Sequence, residues 1–411
     1  MNVPFPQLLE RPRALEAIRP LYEQRDLIKV LTGMRRAGKS TLMKLIANDL
    51  VLAGKSADDF LFVNCEERKW ASLDWQQFGA ALEEFAQAHP QGYLFLDEVQ
   101  TIPSWELAIN SIRTSGAVSL FITGSNARLL SSDLATHLAG RYVTHQVYPL
   151  SFAEFFALVR QSRPAATASE AFTLYLERGG LPALAAGFID KPADVWRKYL
   201  EDIYLAIFVR DIQSRLAVRQ SSLFLRVLRY LFSEIGRTIT ASNLAKVLKE
   251  EGEAGSKPTI LKFIEAAKEA FLFEPALFCD TQGKQLLKYD CKLYAADHGL
   301  REAIFGNNLE SLSQILENIV FIELKRRGWR VSIGRLGTKE VDFIADKGSQ
   351  RHYFQVSYLI ATGATEAREF GSLRQIRDNF PKTVLSLDPV LRPQFGIEHR
   401  HLIDFLLDPD W

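Results

Sequence analysis

The chain has 411 residues, of which 50 are basic and 49 acidic, so its formal net charge at pH 7 is +1. This balance excludes a histone-like protein, and any contact with nucleic acid must come from a local patch because bulk attraction is missing. The length favours roughly two to four domains with buried cores. Three cysteines, far apart in the chain, fit neither a disulfide framework nor a zinc site, and no apolar run approaches about 20 residues. We therefore expect no signal peptide, no membrane partner and a cytoplasmic protein.

A glycine-rich loop, GMRRAGKST at residues 33–41, lies between a β-favouring run and a segment with helical periodicity. The two glycines let the backbone turn its N–H groups inward, Lys39 can reach the β and γ phosphates, and the Ser40 hydroxyl can ligate Mg²⁺. The start of the following helix adds partial positive charge. The spacing predicts a phosphate loop that binds ATP, with Mg²⁺ as cofactor. Its expected nucleotide contacts are Gly33, Met34, Arg35, Arg36, Ala37, Gly38, Lys39, Ser40 and Thr41.

Two of these residues, Arg35 and Arg36, occupy positions of the loop where phosphate binding does not require arginine. We expect them to face solvent or a neighbouring subunit. Direct contact with phosphate is the alternative.

A pair of carboxylates follows the next apolar strand run, residues 93–96. Because ligands bind at the carboxyl edge of open α/β sheets, Asp97 and Glu98 are expected beside the loop. Asp97 would hold Mg²⁺ through water, and Glu98 would orient and activate the attacking water. An ordinary exposed acidic turn is the alternative interpretation.

A further strand run, residues 118–123, leads into Gly124, Ser125 and Asn126. Ser125 or Asn126 is expected to position water or to sense the γ phosphate at the same edge. With one more strand in residues 60–66, the first 150 residues alternate strands and helices, which predicts an α/β fold around a parallel sheet.

The order of loop, acidic pair and polar strand end resembles the AAA+ division of P-loop ATPases. The stretches TGMRRAGKSTL, LFLDEVQTIPSWE, FITGSNARLLSS, LAGRYVTHQVYPLSFAEFF and RGGLPAL resemble a large group of bacterial and archaeal AAA-type ATPases that carry a C-terminal nuclease-like domain. The resemblance covers nearly the whole chain. It implies a homo-oligomer, such as a ring or hexamer, in which an arginine of a neighbouring subunit completes the ATP site. Arg141 is the candidate arginine finger, Arg128 is the runner-up, and a structural ion pair is the other interpretation of Arg141.

The middle of the chain begins where Pro149, Pro164 and a small-residue stretch end the core. We expect an ATPase core at 1–150, a helical lid at 151–235 and a winged-helix domain at 236–305, the last from a helix, turn, helix and hairpin pattern. DNA is one expected partner of the winged helix, through the major groove and backbone. A plain protein contact is the alternative, because glutamates share the loop with the basic residues. The lysines of the expected DNA contact are Lys246, Lys249, Lys257, Lys262, Lys268, Lys284 and Lys288.

The last segment, 306–411, places a glutamate on a helix and an aspartate on a strand, and this pattern resembles PD-(D/E)xK nucleases of the restriction-endonuclease-like fold. The resemblance assigns the metal site to Glu317, Asp342 and the residue at 355. The family's second carboxylate is replaced here by Gln355, and its lysine by Ser357. We therefore expect a degenerate, non-cleaving site, with Lys339 as a candidate substitute for the lysine.

Together these features predict an ATPase that binds DNA and moves or remodels branched or non-duplex forms of it. A signalling switch whose C-terminal domains bind protein partners is the first alternative. An ATP-driven, metal-dependent nuclease is the second.

Overall fold

The computed structural model describes residues 3–126, 138, 140–213, 221–252, 255–280, 291–306, 311–337 and 339–411. The chain forms two compact units, Met1–Pro149 with Glu269–Phe271, and Leu150–Lys268 with Leu272–Trp411. The lid, winged-helix and nuclease-like ranges all fall in the second unit apart from residues 269–271, and their division into separate domains stays a prediction. Within the described ranges, no helix is both long and apolar enough to cross a bilayer.

The first unit is built on a sheet of five parallel strands in the order β2-β3-β4-β1-β5, which confirms the expected α/β fold. The strands are β1 Ile28–Thr32, β2 Phe60–Asn64, β3 Tyr93–Asp97, β4 Ser119–Gly124 and β5 Tyr142–Gln146. The helices are Pro12–Ile18, Lys39–Leu52, Arg68–Ala71, Trp75–Ala88 and Trp105–Ser115, with short 3-10 turns at Arg19–Leu21, Ala57–Asp59 and Val99–Thr101.

The core of this unit forms where one face of the sheet meets two helices. Val30, Leu96 and Ile122 of three adjacent strands pack with Phe78 and Ile109 of those helices, and all five side chains are fully buried. Strands of a parallel sheet covered in this way read as nearly continuous apolar runs, as these do. The sheet thus provides a rigid edge for the loops that follow its strands.

The second unit contains an eight-stranded mixed sheet in the order β13-β12-β11-β10-β9-β7-β8-β6. Its strands are β6 Thr238–Ile239, β7 Phe273–Asp280, β8 Cys291–Ala295, β9 Arg330–Leu336, β10 Lys339–Lys347, β11 Gln350–Val356, β12 Lys382–Ser386 and β13 Glu398–His401. The helices are Phe152–Ser162, Ala168–Arg178, Pro182–Gly187, Ala193–Ile207, Ser221–Ser233, Ala241–Glu250, Lys257–Glu269, His298–Phe305, Leu312–Arg326, Gly363–Arg374 and Leu402–Leu407, with a π-helical segment at Phe208–Gln213.

Capping residues fix where several of these helices begin. Ser151 and Thr167 each accept a side-chain hydrogen bond from the backbone N–H of the glutamate three residues later, and the carboxylate of that glutamate accepts one from the N–H of the capping residue. Such reciprocal caps satisfy backbone donors that the helix itself leaves unpaired. Both motifs follow Pro149, the residue at which the main range of the first unit ends.

The hairpin expected as a wing is observed as β7 and β8, which pair antiparallel. β7 also pairs in parallel with β9, where Phe278 lies opposite Ile333. The ranges expected as winged-helix and nuclease-like domains therefore share one sheet. The hairpin turn with Lys284 and Lys288 lies outside the described residues.

Candidate active site

The phosphate loop connects β1 to the helix Lys39–Leu52, and its two glycines adopt backbone angles that favour glycine. Gly33 has φ of +140° and Gly38 has φ of +97°. A Cβ atom on Gly33 would lie 2.2 Å from the carbonyl oxygen of Val147. Glycine is thus required at 33 by contact as well as by backbone angle.

The buried side chain of Arg11 holds the phosphate loop in place through hydrogen bonds to backbone carbonyl groups. One guanidinium nitrogen of Arg11 donates to the Ala37 carbonyl at 3.3 Å, and the other donates to the Tyr148 carbonyl at 2.9 Å. Arg11 is 4% exposed. The loop is therefore tied to the segment that follows β5.

The loop lysine lies at the carboxyl edge of the sheet. Lys39 Nζ donates to the carbonyl groups of Gly33 at 3.1 Å and Met34 at 3.3 Å, and it lies 3.7 Å from Glu98 Oε1. Met34 and Ala37 bury their side chains, so these two residues can offer a nucleotide only backbone groups. The ammonium is held where phosphate oxygens are expected to bind.

Asp97 accepts hydrogen bonds on both carboxylate oxygens. Ser40 Oγ donates to Oδ2 at 2.6 Å, and Thr123 Oγ1 donates to Oδ1 at 2.5 Å. A hydroxyl and a carboxylate, with waters and phosphate oxygens, form the ligand set that Mg²⁺ prefers in nucleotide sites. Ser40 and Asp97 therefore fit the predicted Mg²⁺ position.

Glu98 is held in a left-handed backbone conformation, with φ of 52°. Its N–H donates to Thr123 Oγ1 at 2.8 Å, and its Oε2 accepts from Gln100 Nε2 at 2.5 Å. Uncommon backbone angles of this kind cluster at functional sites. The contacts orient the carboxylate towards Lys39, beside the loop.

The two loop arginines differ in environment. Arg36 is exposed, with φ of 70°, whereas Arg35 is partly buried and lies 3.9 Å from Glu66. Ser125 and Asn126 are buried directly after β4, at the sheet edge that carries Asp97. The structure thus brings the predicted polar residues to the edge where the loop lies.

Arg141 lies at the amino end of the parallel strands, whereas the phosphate loop lies at their carboxyl end. It precedes β5, and its carbonyl accepts from the Ile28 N–H at 3.1 Å, whereas the loop follows Thr32 at the other end of β1. Arg141 is exposed and is remote from the loop of its own chain. The runner-up, Arg128, lies outside the described residues.

The second unit brings the three residues of the nuclease-like constellation to one cavity of about 400 Å³, which Lys339 also lines. Asp342 Oδ2 accepts from the Val356 N–H at 2.8 Å, and Gln355 Oε1 accepts from the Asp342 N–H at 3.3 Å. Glu317 accepts from the Tyr294 hydroxyl. The predicted residues are neighbours in the fold, although Ser357 provides no cation.

Burial dominates the electrostatics of this cavity. It raises the pKa of Asp342 well above its usual value, and the charge of Glu317 adds to this effect. Burial also raises the pKa of Glu317, while Lys292 opposes the shift. Lys292 Nζ lies 3.3 Å from Glu317 Oε1 and contacts Glu340, so β8 supplies a cation that the local motif lacks.

Comparison with known proteins matches two stretches of the chain to family models. Residues 25–156 match the family model of an AAA domain, and residues 169–311 match a domain of unknown function, DUF8612. An uncharacterised protein of Haemophilus influenzae is 34% identical over 390 residues, which cover 94% of this chain and 96% of the relative. The chain therefore belongs to the same family as this Haemophilus influenzae protein. Residues 25–156 of the chain form an AAA-type ATPase domain.

Two further similarities extend the comparison. The uncharacterised protein MJ1544 of Methanocaldococcus jannaschii is 29% identical over 344 residues, or 80% of this chain and 74% of the relative. The solved structure of the Walker-type ATPase PABY2304 of Pyrococcus abyssi matches with a TM-score of 0.52 at 15% identity and covers 72% of this chain and 96% of that chain. At this identity the likeness concerns the fold, which is that of a P-loop ATPase.

Four side chains of these sites were not predicted from the sequence: Arg11, Thr123, Lys292 and Glu369, a buried residue that also lines the cavity of the second unit. Thr123 and Lys292 could have been found from the sequence, since each is a polar residue in a mainly apolar strand run and so indicates a specific contact. Arg11 and Glu369 lie in charged segments typical of helix surfaces. Their burial depends on contacts far away in the sequence.

Proposed function

We propose that this protein hydrolyses ATP with Mg²⁺ and uses the energy to move or remodel branched or non-duplex DNA. The observation that supports hydrolysis most strongly is the connected group of Ser40, Asp97, Thr123 and Glu98 beside Lys39. A site that only holds a nucleotide has no need for an oriented carboxylate next to its metal position. The AAA domain match supports the same activity.

The residues of the chain divide the work of hydrolysis. Inward N–H groups of the loop and the Lys39 ammonium bind the phosphates, and the Glu98 carboxylate orients the attacking water and accepts its proton. Bound at Ser40 and Asp97, Mg²⁺ would neutralise charge on the transferring phosphoryl group. Asn126, or its neighbour Ser125, contacts the γ phosphate or the water.

Arg141 acts on a neighbouring subunit in this proposal, since it lies at the sheet edge away from its own loop. A mixing experiment tests the oligomer. Lys39→Ala and Arg141→Ala chains should each be inactive alone, and a mixture should recover part of the ATPase rate, because an Arg141→Ala chain keeps its loop and receives an intact arginine from its neighbour. A mixture as inactive as its components would contradict an arginine supplied in trans.

DNA binding rests on exposed lysines of the two helices that precede β7. Lys249, Lys257 and Lys262 are exposed, and they can contact the phosphate backbone. Lys246 and Lys268, by contrast, lie 3.9 Å and 2.9 Å from Glu250 and Glu265. These ion pairs favour the second candidate function, a nucleotide-dependent switch whose C-terminal region binds protein partners.

The test is the ATPase rate with and without duplex, single-stranded and branched DNA, and a Glu98→Gln chain serves as the hydrolysis-deficient control. Stimulation by branched or single-stranded DNA supports remodelling. A rate indifferent to all three forms rejects remodelling and favours the switch.

Cleavage of DNA is a separate question, and we propose that the nuclease-like site does not cut. Asp342 is buried, Gln355 is neutral and Ser357 cannot activate water as a lysine would. DNA incubated with Mg²⁺ or Mn²⁺ should remain intact. Products that require Asp342 but survive Lys39→Ala would instead establish a nuclease.

A further inference from the structure

One face of the second unit exposes large apolar side chains. Two segments that follow the paired strands β11 and β12 lie side by side there, since the Leu387 N–H donates to the Tyr358 carbonyl at 3.0 Å. Val390, a few residues further on, is 63% exposed, and Phe395 is 64% exposed. The exposed apolar side chains of the two segments are Tyr358, Leu359, Val390, Leu391 and Phe395. Soluble proteins rarely leave such a group of side chains in water unless the surface binds a partner.

A tight turn presents Phe395 at the tip of the second segment. Gln394 and Ile397 exchange two backbone hydrogen bonds of 3.1 and 2.9 Å, with only Phe395 and Gly396 between them. Phe395 has φ of 55° and Gly396 has φ of 74°. Bulky side chains rarely adopt this left-handed conformation, and residues that do so cluster at functional sites. Most of the Phe395 side chain faces water, so core packing does not account for its conformation.

Hydrogen bonds within the unit fix the position of this turn. Gln394 Nε2 donates to Glu366 Oε1 at 2.9 Å, on the helix Gly363–Arg374. The Arg392 N–H donates to Nδ1 of the buried His399 at 2.9 Å. The surface is therefore ordered before any partner binds. A partner that binds an ordered surface loses less affinity to conformational entropy.

Positive charge borders the apolar side chains. The guanidinium carbon of Arg374 lies 3.7 Å from the ring centroid of Phe395, and the exposed Arg392 lines a shallow depression together with Val390. Among the residues that the structure describes, neither arginine has a carboxylate partner. By contrast, every carboxylate from 366 to 398 accepts a hydrogen bond from this chain. These are Glu366, Glu369, Asp378, Asp388 and Glu398. The charge that is left for a partner is therefore positive.

The shape and composition of the surface favour a protein partner. The depression, which Ile360, Phe370 and Val390 line, has a volume of about 10 Å³. That is room for about one water and is too little for a small-molecule ligand. Nucleic-acid interfaces are strongly polar, and the aliphatic side chains of Val390 and Leu391 gain little from phosphates. Protein interfaces are enriched in aromatic residues and arginine, and both are present here.

We propose that this surface binds an acidic segment of a partner protein, with an apolar side chain of that segment as the anchor. The surface, which we call the apolar-arginine patch, consists of Val390, Leu391, Phe395, Arg374 and Arg392. The anchor packs on the three apolar side chains, and aspartates or glutamates beside it pair with the two arginines. The proposal rests on the second candidate function only in that both need a protein partner. It requires neither ATP hydrolysis nor DNA.

Peptide selection against the full-length, nucleotide-free protein tests the patch. A random peptide library displayed on phage should yield binders in which aspartate or glutamate flanks an apolar residue. Fluorescence anisotropy of the most enriched peptide, made with a fluorescent label, then gives its affinity for each variant. Val390→Asp and Arg392→Glu should each weaken binding by at least about tenfold, because each removes a contact at the centre of the interface.

Two matched substitutions control for exposure and for charge. Leu52 of the first unit is 63% exposed, as Val390 is, and Leu52→Asp should leave the affinity within about twofold. Arg68→Glu, at an exposed arginine of the first unit, should do the same. Val390→Asp should also keep the native ATPase rate, so a failure of docking and a failure of the proposed hydrolysis are distinguishable.

Charge reversal provides a gain of affinity. Arg392→Glu should bind a peptide whose acidic residues are replaced by lysine at least about fivefold more tightly than the native chain does. The proposal is overturned if no peptide is enriched, if the enriched peptides are not acidic, if the reversal brings no gain, or if the controls weaken binding as much as the patch variants.

A different occupant would overturn the proposal as well. Sedimentation of the native chain and of Val390→Asp tests for a second copy, because self-association that this variant abolishes would assign the patch to contacts between copies. A labelled single-stranded oligonucleotide tests for nucleic acid. If the native chain preferred the oligonucleotide to the acidic peptide and Val390→Asp lost that binding, the partner would be a nucleic acid.

Discussion

Ser40 and Asp97 are 57 residues apart in the sequence, and a hydrogen bond of 2.6 Å from Ser40 Oγ to Asp97 Oδ2 joins them. The bond connects the first turn of the loop helix to the end of β3. Two predicted Mg²⁺ ligands therefore stand beside each other in the folded chain.

Removal of the Ser40 hydroxyl should cost most of the Mg²⁺-dependent ATPase rate. For Ser40→Ala we expect kcat to fall by at least about 100-fold, because the proposed Mg²⁺ position would lose a ligand and Asp97 would lose a hydrogen bond. Phosphate release at saturating ATP measures the loss. Ser40→Thr keeps the hydroxyl and should remain near the native rate. Equal rates for the Ala and Thr variants would show that the hydroxyl has no part in catalysis.

Thr123 should influence catalysis without touching the nucleotide. Its hydroxyl bonds Asp97 and the Glu98 N–H, and Thr123→Val removes both bonds while keeping the shape of the side chain. We expect kcat to fall by about tenfold with a smaller change in KM, since two acidic groups lose their orientation. Thr123→Ser is the matched control. If valine and serine gave the same kcat, the positioning role would be wrong.

The sequence alone was sufficient to predict those parts of the fold that depend on local residue patterns. The loop spacing, the apolar runs of β1, β3 and β4, and the acidic pair at 97–98 predicted the parallel sheet and its functional edge, because strand, turn and helix signals act over a few residues. The AAA domain match supports that interpretation. The catalytic and binding roles of the individual site residues, Arg141 and Asn126 among them, stay predictions.

Contacts between distant segments could not be predicted in the same way. The bond from Arg11 to Ala37 spans 26 residues, and the pairing of β7 with β9 joins segments about 50 residues apart. Nothing near Arg11 or Glu369 in the sequence indicates burial. Their environment is created by tertiary packing, which overrides the surface pattern of a charged helix segment.

Gly33 should tolerate no side chain, because of its positive φ and because of its close contact with Val147. Gly54 has a positive φ without such a contact, so a comparison of the two glycines separates the cost of the backbone angle from the cost of the contact. Gly33→Ala would place Cβ 2.2 Å from the Val147 carbonyl oxygen, whereas Gly54, with φ of +94°, has nothing within 4 Å of the added atom. Gly54→Ala should cost only backbone strain, about 1 kcal/mol of unfolding free energy. Gly33→Ala should cost clearly more and should also abolish ATP binding. Urea unfolding and nucleotide titration measure the two effects, and equal costs for both variants would exclude the contact.

His298 should make the second unit less stable in acid. Burial lowers the pKa of His298 to about 4. The hydrogen bond that its Nε2–H donates to the Tyr175 carbonyl at 2.6 Å opposes this shift, and Arg301 adds a smaller contribution to it. The histidine pKa is near 6.5 in the unfolded chain. Between about pH 6.5 and about pH 4 the unfolded chain therefore binds a proton at His298 that the folded chain does not bind. The free energy of unfolding therefore falls as the pH drops from about 6.5 towards 4.

The His298→Gln variant tests this linkage, because glutamine can still donate to the Tyr175 carbonyl but does not titrate. Between about pH 7.5 and about pH 5.5 the native chain should lose about 1 kcal/mol more unfolding free energy than the variant. Urea unfolding at the two pH values measures the difference. If His298→Gln lost as much stability in acid as the native chain, the acid sensitivity would have to come from other groups.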